Sequence, residues 1–347
     1  MTKNYWNEFE YNKLKLLLNP KKVENIFAVL NRKKNFDELP PISVELQLTD
    51  LCNLNCSWCT DKLFRSRASS TSLHDIQHLF EYFQKNNVGV TIEGGGEPSI
   101  HQDFEKIVKF GSQLGISMGL ISNGVINYSH LMHFFKWVRI SLDASNYEEY
   151  FLEKGKNCFD TVLKNLETFS GNRDPESTQL GIGYVLTKRN LSNLHSFAEK
   201  MNNLMIDYAY LRPVEESSDL LPELSVLFDL KKWTIDFNKN NRMQILLNIN
   251  ERMIKSNDNL PCVAHSLSCI IQANGDVVLC EKRRNDPIIF GNISEKSFEE
   301  IWNSEQRINH TQKLLDPENQ RNCNVCRITS FNRCFCDINN IHTKQFI

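Results

Sequence analysis

The chain has 347 residues, which is more than an average domain and enough for a large core with a smaller appended module. Its formal net charge is -2, with acids and bases interleaved, which excludes an extended nucleic-acid or polyanion surface. No apolar run reaches the roughly 18 residues of a membrane span. The N-terminus lacks the apolar stretch of a signal peptide, so a cytoplasmic location is expected.

Residues 1–40 read as a helical, polar lead-in ended by Pro40-Pro41, since proline cannot continue a helix. A strand–helix rhythm then begins. Ser43–Thr49 alternates as a strand, and Leu73, Ile76, Leu79, Phe80 and Phe83 have helical spacing behind a Ser72 cap. Val88–Ile92 is a second strand, followed by a helix through Phe104, Ile107, Val108 and Leu114. Ile116–Ile121 and Val138–Leu142 are the third and fourth strands. A helix stripe over Phe159–Phe169 precedes a fifth strand at Leu180–Leu186. Leu191–Met201 is helical, and Asp207–Leu211 is the sixth strand. Six βα units in succession predict a parallel sheet with right-handed crossovers. Residues 43–214 are too few for a full eight-unit barrel, which takes about 250 residues. The expected class is therefore α/β: a partial (β/α)6 TIM-like barrel, with a small cysteine-rich α+β domain after it. The boundaries expected are 1–40 for the lead-in, 41–215 for the barrel, 216–249 for a helical connector and 250–347 for the cysteine-rich module.

In parallel α/β architectures, ligand sites lie at the C-terminal ends of the strands. The notable motifs fall there. Cys52, Cys56 and Cys59 follow strand one, and Glu93-Gly94-Gly95-Gly96-Glu97-Pro98 follows strand two. Ser122-Asn123-Gly124 follows strand three, and Ser141-Leu142-Asp143 closes strand four. Tyr184 lies in strand five, and Arg212 ends strand six. A gap of three residues and then two lets one loop carry three thiolates around a cuboidal iron–sulfur cluster, leaving one iron without a protein ligand. Zinc sites use four ligands in paired units, and no fourth lies near. Glycines at that strand end point to close backbone approach or positive φ.

These residues resemble the radical S-adenosylmethionine (radical SAM) superfamily over roughly residues 43–214. The loop Cys52–Cys59 matches its cysteine signature, and Gly94-Gly95-Gly96-Glu97-Pro98 matches its glycine-rich motif. The resemblance implies a [4Fe–4S] cluster whose open iron is chelated by the methionine end of S-adenosylmethionine. It implies that Gly95, Gly96 and Glu97 contact the methionine amino group and that Trp58 lies near the adenine. Asn123, Ser141 and Asp143 become candidate ribose or carboxylate contacts, alternatively ordinary strand-end caps.

Seven further cysteines follow: Cys262, Cys269, Cys280, Cys323, Cys326, Cys334 and Cys336, with an Asn274-Gly275 hairpin signal among them. Residues 258–340 resemble the SPASM extension of radical SAM enzymes, which implies one or two auxiliary [4Fe–4S] clusters. The first would use Cys262, Cys269, Cys280 and one of Cys334 or Cys336, and the second would start from Cys323 and Cys326. Full members have eight cysteines where this chain has seven, so the second cluster would have an open iron, a ligand such as Asp337 or His342, or be absent. Zinc is the alternative occupant of Cys323 and Cys326.

The resemblance implies cleavage of S-adenosylmethionine to a 5′-deoxyadenosyl radical that abstracts hydrogen from a substrate carbon, with an electron donor such as flavodoxin or ferredoxin. Oxidation also needs a proton acceptor. In the sulfatase-maturing relatives an acidic residue beside a cluster cysteine fills that role, which makes Glu281 the candidate base here. Epimerisation would need a thiol, and Cys158 lies outside both cysteine groups, although a lone cysteine is more often a small core residue. The short lead-in favours a small polar, carbohydrate-like substrate, bordered by Tyr184, Tyr210 and Arg212. The alternatives are maturation of a ribosomally made peptide and, in another class, a non-catalytic iron–sulfur electron carrier.

Overall fold

The computed structural model describes residues 12–65, 69–249, 260–281, 287–320 and 328–341. The strands are β1 (Ser43–Leu46), β2 (Gly89–Ile92), β3 (Met118–Ser122), β4 (Trp137–Ser141), β5 (Gln179–Leu186), β6 (Tyr208–Pro213), β7 (Gln244–Leu247), β8 (Ser268–Ile271), β9 (Asp276–Val278) and β10 (Ile289–Asn292). They form one sheet of order β10-β9-β8-β1-β2-β3-β4-β5-β6-β7. From β8 through β7 every pairing is parallel, whereas β8, β9 and β10 pair antiparallel. The barrel and its expected partial closure are thus present, with a seventh barrel strand. β7 falls inside the stretch read as a helical connector.

The helices are α1 (Pro20–Leu30), α2 (Leu73–Asn86), α3 (Phe104–Gln113), α4 (Tyr147–Lys154), α5 (Phe159–Asn172), α6 (Leu194–Asn203), α7 (Leu224–Asn240), α8 (Phe298–Trp302), α9 (Glu305–Lys313) and α10 (Thr329–Asn339). Ser72 starts α2 by accepting from Asp75 N at 3.0 Å. Strand alternation sends Val44, Leu46, Val90, Ile92, Leu120 and Ile140 outward into the helix layer, where all are buried. The opposite face, including Glu45, Thr91, Ile121, Arg139, Tyr208 and Leu246, lines a lumen of about 700 Å3. Arg139 lies over the rings of Tyr210 (4.9 Å) and Trp137 (5.9 Å) within it. No helix among the described residues is long and apolar enough to cross a membrane.

His265, on the turn before β8, is buried. Burial, reinforced by the Arg307 and Lys22 charges, pushes its imidazole down to about 3. The unfolded chain takes up a proton near pH 6.5 that the folded chain refuses. This contribution to stability is therefore complete above about pH 6.5 and is lost as pH falls toward 3. His265→Gln is expected to show a smaller drop in Tm between pH 8 and pH 5 than the parent chain, measured by thermal denaturation.

Candidate active site

The cysteine loop is held from two sides. Asn55 N donates to Lys154 O and Ser57 N to Glu153 O, both at 3.0 Å, which ties the loop to the end of α4. Gly96 N donates to Thr49 O at 2.7 Å and Glu97 N to Leu51 O at 2.8 Å, which ties the glycine motif to the approach to Cys52. Gly94 and Gly95 take φ of 80° and 62°, the left-handed region that favours glycine. A Cβ on Gly96 would lie 1.7 Å from Leu51 O, so only glycine lets the two loops meet.

The Glu97 carboxylate is 3% exposed and has four donors of its own. Ser99 N (3.1 Å), Ser99 Oγ (2.6 Å), Ser122 Oγ (2.7 Å) and Asn123 N (2.7 Å) all donate to it. It therefore clamps the loop after β2 to the loop after β3. Asn123 continues the chain, with Nδ2 donating to Asn53 Oδ1 at 2.6 Å inside the cysteine loop. The structure gives this residue type a positioning task that the family pattern did not reveal.

Asp143 sits past β4 with φ of 59°, an uncommon value for a residue other than glycine. One of its oxygens is paired with Lys154 and the other accepts from Val185 N. Both side chains of the pair are 1% exposed. Burial opposes the charge on Lys154, but Asp143 and Cys56 outweigh it and hold its pKa above the usual lysine value. Lys154 Nζ also lies 5.1 Å from the Trp58 ring centroid, and the Arg212 guanidinium lies 6.0 Å from it. Trp58 Nε1 is buried and meets no hydrogen-bond partner among the described residues. Glu153, beside Lys154, accepts from Thr187 Oγ1 and Arg189, while Arg189 Nη2 donates to Ser57 Oγ at 2.8 Å. Sequence reading passed over Lys154, Glu153, Arg189 and Asn53. The nearest signal was charge at the end of α4, which in most helices means solvent.

Cys52, Cys56 and Cys59 are all half-buried. Burial pushes the Cys56 thiol up to about 11, Lys154 draws it down, and Cys59 and Cys52 raise it further. A thiol at Cys56 within electrostatic reach of Cys52, Cys59 and a buried ammonium belongs to a donor set suited to an anionic cluster. Among the described residues no three metal-ligating side chains converge as they would on a single ion. A cubane asks less, since each thiolate takes its own iron.

The remaining expectations separate. Tyr184 points outward, packs on Phe197 with centroids 4.5 Å apart and donates its hydroxyl to Asn190 O at 3.0 Å, away from the lumen. The Tyr210 hydroxyl accepts from Asn248 Nδ2 at 3.1 Å. Ser141 is half-buried on the inner face across from Gly183. Cys158 occupies the position before α5 without a side-chain capping bond, and packs against the main core. Cys280 and Glu281 line a cavity of about 190 Å3 together with Gly95, Asp50 and Arg65. Cys269 is buried on β8, beside Val44 on the outward face. Cys262 and Cys280 border the same core. Cys334 and Cys336 lie two apart on α10, so they emerge in different directions. Asp337 is exposed on the same helix. Cys323, Cys326 and His342 lie outside the described residues.

The family model of the radical SAM superfamily matches residues 46–198, and that of SPASM, an iron–sulfur cluster-binding domain, matches residues 262–327. The chain belongs to the radical SAM superfamily and carries a SPASM module. Its cofactors are accordingly [4Fe–4S] clusters and S-adenosylmethionine, and it is a radical SAM enzyme. Among curated relatives, mycofactocin maturase MftC of Mycolicibacterium smegmatis is 24% identical over 302 residues, 82% of this chain and 75% of that protein. AdoMet-dependent heme synthase of Methanosarcina barkeri is 22% identical over 320 residues, covering 82% and 88%. Among solved structures, Streptococcus suis SuiB bound to precursor peptide SuiA superposes with a TM-score of 0.67 at 17% identity, over 82% of this chain and 70% of that one. The anSMEcpe enzyme with bound AdoMet and Kp18Cys peptide gives 0.59 at 15% identity, over 87% and 99%. At these identities the two radical SAM structures speak for the fold.

Proposed function

We propose that this radical SAM enzyme oxidises a carbon of a peptide substrate, with Glu281 as the proton acceptor. The observation that carries the reading is the cavity shared by Gly95, Cys280 and Glu281, which puts a carboxylate, a cysteine of the SPASM module and the glycine motif around one small space. Relatives named as maturases and solved neighbours bound to peptides support a peptide ahead of the carbohydrate-like substrate expected from the sequence.

In this reading Cys52, Cys56 and Cys59 hold the [4Fe–4S] cluster that engages S-adenosylmethionine. Cys262, Cys269 and Cys280, with Cys334 or Cys336, hold an auxiliary one. Bound there, these groups supply reductive cleavage of S-adenosylmethionine, hydrogen abstraction and an electron acceptor, fed by a flavodoxin- or ferredoxin-type donor. The chain's own residues do the rest. Gly95 and Gly96 bring the backbone close enough to meet the methionine end. The Trp58 ring, set by Lys154 and Arg212, offers a face within the cysteine loop and an N–H that meets no acceptor among the described residues. Asn123, Ser141 and Asp143 order the neighbouring strand ends. The Glu281 carboxylate would accept the proton that leaves the atom bonded to the oxidised carbon, as the double bond between them forms.

The test is incubation of reconstituted, reduced enzyme with S-adenosylmethionine and short peptides encoded beside its gene, in deuterated water. Formation of 5′-deoxyadenosine and of a peptide lighter by two hydrogens, without deuterium at carbon, is expected. A peptide of unchanged composition carrying deuterium at carbon points to epimerisation instead, and absence of 5′-deoxyadenosine returns the protein to the electron-carrier class. Glu281→Gln is expected to keep forming 5′-deoxyadenosine while product formation falls by about 10²-fold or more.

A further inference from the structure

The wall of the barrel lumen is built from rings that lie flat against glycines. On the inward face, Gly119 of β3 pairs with Trp137 of β4, and Gly181 of β5 with Tyr208 of β6. A Cβ on either glycine would come 2.2 Å from the neighbouring ring, so bare backbone is what lets each ring fold down onto the wall. Gly183, between Ser141 and Tyr210, adds no side chain either. The space left is the lumen of about 700 Å3.

Arg139 enters this space from β4 and is half-buried. Its guanidinium lies over the Tyr210 ring at 4.9 Å and the Trp137 ring at 5.9 Å. Asn248 Nδ2 donates to the Tyr210 hydroxyl at 3.1 Å, which fixes that ring. Arg139 forms no hydrogen bond or ion pair among the described residues. Stacking occupies the faces of the planar group, while its N–H donors leave from the edge, in the fork that fits a carboxylate. Glu45 on β1 and Glu93 past β2 also line the lumen, but three and two strands away around the wall, and both engage other groups. A half-buried cation held by two rings and left without an anion is a binding group in waiting.

Its depth relates it to the reaction. Arg139 stands two residues before Ser141, which ends β4. Tyr210 stands two residues before Arg212, whose guanidinium lies 6.0 Å from the Trp58 ring. At about 3.3 Å per residue, Arg139 is rooted roughly 7 Å below the strand ends that carry the cysteine loop and the glycine motif.

We propose that the lumen is the specificity pocket of this enzyme, and that Arg139 holds there a carboxylate of the substrate peptide, from an acidic side chain or from the C-terminus. The proposal rests on the reading that the substrate is a peptide. The carboxylate accepts two N–H bonds from the guanidinium edge, and the Trp137 and Tyr210 rings keep that edge turned toward it. Arg139 is thus a specificity-determining residue: it selects the part of the peptide that hangs below the mouth, and so the carbon that stays above it.

The test is binding without turnover, to the reconstituted full chain with S-adenosylmethionine present, read by isothermal titration calorimetry. The probes are an end-blocked tripeptide with a central glutamate, the same peptide with glutamine, and an acetylated triglycine with a free C-terminus. At least one carboxylate peptide is expected to bind about 10- to 100-fold more tightly than the glutamine peptide, and which one does so identifies the source of the carboxylate. Arg139→Gln is expected to abolish that preference and to leave the affinity for the glutamine peptide unchanged. Arg139→Lys, which keeps the charge but loses the fork, should retain part of it. Equal binding of all three peptides by the parent chain, binding of none, or a preference that survives Arg139→Gln overturns the proposal. If Arg139→Gln does not fold, Arg139→Lys decides: a reduced preference supports the proposal and an undiminished one overturns it. Such a failure is distinct from failure of the oxidation reading, because a peptide bound through Arg139 but never oxidised would count against the oxidation alone.

Discussion

Gly96→Ala is expected to lose the catalytic iron while keeping that of the SPASM module. The added Cβ would sit 1.7 Å from the Leu51 carbonyl oxygen, a backbone atom that cannot swing aside. Either the glycine motif lifts away or the run into Cys52 moves, and both contacts at 2.7 and 2.8 Å from Gly96 N and Glu97 N are then broken. The destabilisation should be about 3 kcal/mol, the upper end for forcing extra volume into packed structure. A displacement of about 1 Å at a reacting centre is enough to lower turnover about 10²-fold. Iron analysis, a chemical denaturation curve and the yield of 5′-deoxyadenosine measure the three effects separately. Full iron and full turnover in the variant would show that the two loops need not touch.

The second large effect is expected at Lys154. Lys154→Met leaves Asp143 as a buried carboxylate with its partner gone, at a cost of about 3–5 kcal/mol. The variant also removes the ammonium beside Cys56 and Trp58, so iron retention should fall with stability. Adding Asp143→Asn to Lys154→Met should recover part of the stability, because the stranded charge is then gone, but not the iron retention. Denaturation and iron analysis on the single and double variants form the test. Equal stability of the two would mean that Asp143 reaches another cation or water when Lys154 is absent.

Why some of this was legible in sequence and some was not follows from the range of the interactions. Cys52, Cys56 and Cys59 share one loop, and Gly94, Gly95 and Gly96 are contiguous, so spacing alone carries their meaning. The six strands read from alternation are present because each buries one face in the helix layer. β7 was not legible, since Gln244–Leu247 is short and its pairing with Tyr208–Leu211 is settled only across α7. Lys154 and Arg307 were illegible for a related reason. Both lie in helices of polar sequence whose charged residues normally face water, and their partners are brought by distant segments: Asp143 and Trp58 for one, Asp37 and Trp302 for the other. Tyr184 was placed at the site by its strand position, but strand parity turns it into the helix layer. Glu97 was found in the right place, with its task hidden because its donors come from Ser99, Ser122 and Asn123 in the folded chain.

The parallel pairing of β8 with β1, from Ser43 opposite Ser268 to Leu46 opposite Ile271, has a practical consequence for anyone who would trim the protein. A shortened version ending before residue 260 would present β1 as a raw border of unbonded amides and carbonyls, a template on which further copies could polymerise. The iron-rich tail is, in this sense, the hem of the barrel, and insolubility after its removal would report a torn seam rather than a lost cofactor.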